Sequence, residues 1–150
     1  MRYAYQFKQK IDNVFDLTKQ VTNDETKSAL SKYLCILVSG YIELNIKEII
    51  LEYTGNKSNP NIKNYVEFTT QGMTNLKSSK IIENLNRFNQ DWGSEFEKNI
   101  SLEQKDAVDT IIANRNNIAH GKDVGLSFSR ISDYYVKSQQ VISIIESIIK

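Results

Sequence analysis

Residues 101–121 read SLEQKDAVDTIIANRNNIAHG, and this one stretch sets the class of fold. Ser101 and Gln104 stand in the Ser-x-x-Gln spacing of a capping box, where each side chain satisfies a free backbone N–H at a helix start. Val108, Ile111, Ile112, Ile118 and Ala119 then recur at three- and four-residue intervals, the period of a helix that buries one face. Gly121 follows where a helix needs a left-handed residue to end it. At about 100° per residue, all five apolar residues fall within roughly 60° of Arg115. An arginine amid an apolar stripe is costly unless a carboxylate, hydrogen bonds or an opening to a ligand receives it.

The helical period continues on either side. A first helix is predicted from about Tyr3 to Val21, with Tyr3, Phe7, Ile11, Val14 or Phe15, and Leu17 or Thr18 along one side. Thr22 and Glu25 have capping-box spacing and start a second helix that reaches about Tyr53, carrying Leu30, Leu34, Leu37, Tyr41, Leu44 and Leu51. The cluster from Gly55 to Pro60 ends it. Between Asn61 and Asn99, Ile81, Ile82, Leu85 and Phe88 support a third helix, and Ser94-x-x-Glu97 caps a short turn. The helix of residues 101–121 is the fourth. Ser127 caps a last one, with Leu126 and Ile131 spaced as a hydrophobic staple, running nearly to Lys150. Its late portion, Val141 to Ile149, is apolar over more than a narrow stripe, which predicts burial by its own bundle and by a partner subunit. Only one proline and six glycines interrupt these stretches. The expectation is an all-α, up-and-down bundle of four to five helices in a single domain spanning 1–150.

Composition bounds the partners. Lys and Arg total 19 against 18 Asp and Glu, a net charge of +1, so no global field attracts nucleic acid and any RNA contact must come from a local patch. The N-terminus lacks the uninterrupted apolar stretch of a signal peptide or membrane span, giving the expectation of a soluble, cytoplasmic protein without a membrane partner. The lone Cys35 lies in an apolar run and reads as a small buried hydrophobe. With one Cys and one His, the usual zinc ligand set cannot be assembled within one subunit, so neither a metal nor another cofactor is expected.

Asn116 and His120 fall on one flank of the stripe, roughly 100° and 140° from Arg115. His120 lies at the helix C-terminus, where carbonyl groups favour a cation. Arginine can clamp a phosphate and stabilise its developing charge, and histidine moves protons near neutral pH. Together they suit phosphodiester cleavage in RNA, whose 2′-hydroxyl supplies the nucleophile. Each residue also has a plainer reading: Arg115 as a bridge to a neighbouring helix's carboxylate, His120 as a helix cap.

An R-x4-H element spelled Arg115-Asn116-Asn117-Ile118-Ala119-His120, followed by Gly121 near the end of a penultimate helix, resembles the HEPN superfamily. Its flavour, RNNIAHG, is similar to HEPN domains of prokaryotic defence and toxin systems. The likeness covers nearly the whole chain as architecture and about Thr110 to Gly121 as motif. It implies a metal-independent endoribonuclease with Arg115 and His120 as the catalytic pair and Asn116 orienting them or the scissile phosphate. It further implies a homodimer whose two motifs share a cleft, and an antitoxin or defence partner protein. An acidic support from an earlier helix is implied too; Glu43 is the candidate and Asp109, on the flank of Asn116, could serve instead. Glu43 also reads as a solvated charge or a partner of Lys47. Where related toxins carry a tyrosine two residues after the histidine, this chain has Lys122, so control through such a tyrosine is not supported. Lys122, Arg130 and Lys137 are candidates for RNA phosphate contacts. The competing readings are a noncatalytic dimerisation or nucleotide- or RNA-binding module, and an antitoxin or immunity protein docking through its last helix.

Overall fold

The computed structural model describes residues 2–149, with Arg2 and Asn56 described by backbone alone. Seven helices and no strands are found among them: α1 (Arg2–Lys19), α2 (Asp24–Lys57), α3 (Pro60–Thr70), α4 (Ser78–Phe88), α5 (Gln90–Asn99), α6 (Leu102–Ala119) and α7 (Phe128–Ile148). Four of them make the expected up-and-down bundle. Ala4 N–H donates to Glu48 and Phe7 lies against Gly40, so α1 and α2 are antiparallel. Gln104 bonds Gln140 across α6 and α7, which are antiparallel as well. Helices α3 to α5 are inserted between the two hairpins, and they raise the count above the expected four to five.

Local chemistry explains the boundaries. Ser101 Oγ accepts from Gln104 N (3.1 Å) and Gln104 Oε1 accepts from Ser101 N (2.9 Å), a complete capping box. Ser127 Oγ accepts from Arg130 N (3.1 Å) and starts α7, with Leu126 and Ile131 both buried. The start of α2 differs from the expectation: Asn23 Oδ1, not Thr22, accepts from Thr26 N (2.9 Å). Helix α2 also continues past Gly55, and Pro60 is no stop. It is the first residue of α3, behind the cap Asn59, because proline's fixed φ and missing N–H suit that position. Ser94 caps nothing; it lies within α5, whose cap is Asn89.

The core runs through the bundle axis. Ile11, Leu34, Ile42, Ile111, Ile131 and Ile145 are essentially inaccessible to solvent. On α1 the buried stripe is Ala4, Ile11 and Thr18; Tyr3 stands exposed, contrary to the expected stripe, and of the alternatives Leu17 and Thr18 it is Thr18 that is buried. Thr18 replaces Leu17 because its hydroxyl bonds Val14 O (2.7 Å) and so loses nothing on burial. In α7, Val141, Ile142 and Ile145, and just beyond its end Ile149, are buried by the chain's own helices, and Ile144 and Ile148 pack partly against the same core. Tyr135 crosses from α7 to α1, donating to Asp12 Oδ1 (2.8 Å) and stacking on Phe15. Among the described residues no helix is long and apolar enough to cross a membrane.

Candidate active site

Helix α6 delivers the R-x4-H element to one end of the bundle. Its buried stripe is Ala107, Val108, Ile111 and Ile112; one turn later Arg115, Asn116 and Ile118 are half-buried, and Ala119 and His120 are exposed. The stripe therefore surfaces at Arg115, and the arginine sits at its edge instead of in its middle. Nη1 of Arg115 donates to Asn116 Oδ1 (3.3 Å). Among the described residues no carboxylate lies within ion-pair distance of its guanidinium. The bridge to a neighbouring helix's carboxylate is thus not formed among the described residues.

His120 is the residue where helical geometry ends, with φ −90° and ψ 9°. Gly121 takes φ +72°, and two bonds close the last turn: Gly121 N–H to Ile118 O (3.0 Å) and Lys122 N–H to Asn117 O (2.9 Å). This paired closure satisfies carbonyls that would otherwise be orphaned. It fixes the backbone of His120 while leaving the imidazole in solvent, with no hydrogen-bond partner among the described residues. A half-buried guanidinium and an exposed imidazole, about a turn and a half apart on a rigid helix end, can take a phosphate and a proton respectively.

The two acidic candidates are engaged elsewhere. Asp109 Oδ1 accepts from Ser78 N (2.7 Å) and its Oδ2 from Ser78 Oγ (2.9 Å), so α6 supplies the cap that Lys77 does not provide for α4. Glu43 Oε1 accepts from Asn75 N (3.3 Å) in the turn just before. Both carboxylates hold the α3–α4 turn, and neither is hydrogen-bonded to Arg115, Asn116 or His120. Lys122 is exposed. Arg130 donates to Tyr134 Oη (3.2 Å) and lines a groove of about 640 Å³ between α6 and α7 with Lys137, Glu103, Asp106 and Asp133. That groove carries one more negative than positive charge, and Lys137 is already paired with Asp133 (2.8 Å), the bond that chiefly raises its pKa.

Two cations near the motif were hidden in the sequence. Lys32 Nζ lies 3.9 Å from Asp123 Oδ1, in the loop after His120. Lys27 Nζ lies 5.0 Å from the centre of the Phe128 ring at the start of α7. Both come from α2, more than 80 residues before the motif, where no local pattern could connect them to it. Cys35 donates its thiol to Ile111 O (3.5 Å), and burial pushes its pKa up to about 12, so it packs the α2–α6 seam as an unreactive thiol. Among the described residues no group of three or more His, Cys, Asp or Glu is placed to hold a metal ion.

No curated protein and no solved structure matches the chain. A family match covers residues 5–150, under the description RiboL-PSP-HEPN. It takes in all of α2 to α7, most of α1 and the whole R-x4-H element, so that the chain belongs to the RiboL-PSP-HEPN family.

Proposed function

We propose that the protein is a metal-independent endoribonuclease acting through Arg115, Asn116 and His120. The observation that carries this reading is the half-buried Arg115: its guanidinium has Asn116 as a partner but, among the described residues, no carboxylate, and the exposed His120 follows at the same helix end. A cation held partly out of water without a counter-charge is primed for an anionic ligand. In the proposed step His120 takes the proton of the 2′-hydroxyl, and O2′ forms a bond to phosphorus. The bond from phosphorus to the 5′-oxygen breaks, and that oxygen is protonated as it leaves. Arg115 stabilises the pentavalent phosphate and Asn116 orients the guanidinium. The products are a 2′,3′-cyclic phosphate and a 5′-hydroxyl end.

One histidine cannot be base and acid at the same moment. The reading therefore includes a homodimer in which two R-x4-H elements share a cleft, the second proton coming from His120 of the partner subunit. Asp109 and Glu43 support the site by tying α6 and α2 to the α3–α4 turn. Of the cations named for RNA contact, this reading keeps Lys122, since the carboxylates around Arg130 repel phosphate. A toxin or defence role, with an antitoxin or defence partner, rests on the likeness to such HEPN proteins; it predicts that expression halts growth and that His120→Ala relieves the arrest.

The second reading is a noncatalytic module that binds RNA or a nucleotide. It is favoured by the imidazole of His120, which makes no hydrogen bond to the side chain of either Arg115 or Asn116; His120 meets Asn116 only through its backbone N–H (3.1 Å to Asn116 O). Cleavage of RNA in EDTA by the wild type, abolished in His120→Ala, decides for the enzyme; binding without cleavage decides for the module.

A further inference from the structure

Cys35 and Ile111 fix the register of α2 against α6, since the thiol meets the Ile111 carbonyl. The two helices are antiparallel, because Lys32, earlier in α2, meets Asp123, later than α6. Stepping back three residues on α2 and forward four on α6 moves both chains roughly 4.5–6 Å in the same direction. Lys32 is thereby level with Arg115. Its side chain is 33% exposed, so the aliphatic stem is held while the ammonium reaches solvent, and its carboxylate partner, Asp123, is fully exposed at 107%.

We propose that Lys32 is a phosphate-positioning residue for RNA, and that Asp123 occupies it as a competing carboxylate until RNA arrives. This rests on the ribonuclease reading and deepens it by naming a substrate contact. The asymmetry of the pair is the reason. A lysine with a half-buried stem emerges at a defined place, whereas a fully exposed loop carboxylate at 3.9 Å can leave without desolvation or loss of packing. Phosphate replaces carboxylate on the same ammonium, one negative group for another. Lys32 touches no reacting atom; it holds a phosphate beside the scissile one and so places the latter over Arg115.

The test uses the full chain and a short single-stranded RNA of mixed sequence in EDTA, with cleavage and binding measured in parallel at several salt concentrations. Lys32→Ala is expected to raise KM with kcat unchanged. It should also flatten the slope of log affinity against log salt by about 0.7, the share of one phosphate contact on a single strand. Lys32→Arg should restore both. Asp123→Asn, which alters only an exposed side chain, should tighten RNA binding by about two- to fivefold. Wild-type KM and salt slope in a folded Lys32→Ala protein overturn the inference, as does unchanged or weaker binding in Asp123→Asn. Absence of cleavage by the wild type sinks the ribonuclease reading instead, and the binding slopes then still decide the Lys32 contact.

Discussion

Replacing Arg115 with alanine separates a catalytic arginine from a structural one, because the two roles predict different magnitudes. The variant loses one part-buried hydrogen bond to Asn116, about 0.5–1.5 kcal/mol. It also loses the packing of a half-buried stem, of similar size. The total is about 2 kcal/mol. An arginine bridging to a buried carboxylate would leave that charge unpaired and cost about 3–5 kcal/mol. For a chain of this length each kcal/mol is about 2–4 °C in Tm. Arg115→Ala should therefore melt no more than about 8 °C below wild type, whereas Ile111→Ala, in the solvent-free core, should lose about 2–5 kcal/mol. If Arg115 stabilises the pentavalent phosphate, RNA cleavage should fall about 10²–10³-fold, as when one oxyanion donor is removed. Thermal unfolding and cleavage are measured on the same preparation. An Arg115→Ala protein that is as unstable as Ile111→Ala, or one that is folded and cleaves at wild-type rate, refutes the assignment.

Two further outcomes follow from the fold. Burial, then the bond to Asp12, raises the Tyr135 phenol above its ordinary 10, and burial, Glu146 and Asp12 push Tyr41 to about 12. Because both folded values lie above the unfolded one, their contribution is whole below about pH 10 and is lost as pH rises beyond it. Stability should then fall by about 1.4 kcal/mol per pH unit for each phenol, and Tyr135→Phe should remove one phenol's share of that slope; an identical slope contradicts the burial argument. Gly121→Ala meets no atom within 4 Å, so its cost is conformational alone, about 1–2 kcal/mol for a left-handed alanine, read as a fall in Tm. A loss nearer zero would mean that the α6 end does not depend on that turn.

The ends of α6 and α7 were legible because their signals are local: Ser101 with Gln104, Ser127, and Gly121 each act within six residues. The start of α2 and the region after it were not, for three reasons. Asparagine caps at Asn23, Asn59 and Asn89 compete with the Thr-x-x-Glu and Ser-x-x-Glu patterns that catch the eye. Pro60 marks a beginning as easily as an end. Helix α4 takes its cap from Asp109, 31 residues away, which no window along the chain contains. The site divides in the same way. A helical wheel identifies Arg115 as a charge that needs an explanation and puts Asn116 beside it. It cannot show that the apolar stripe surfaces at that turn, exposing Ala119, or that Lys32 arrives from α2.

In the proposed reaction His120 transfers a proton in RNA cleavage that needs no metal. This step is tested by incubating purified wild-type protein and His120→Ala with RNA in EDTA and identifying the product ends. The wild type should give 2′,3′-cyclic phosphate and 5′-hydroxyl ends and the variant none, while the variant stays folded because the imidazole it loses is exposed. Equal cleavage by both proteins, or cleavage by the wild type only when magnesium is added, contradicts it.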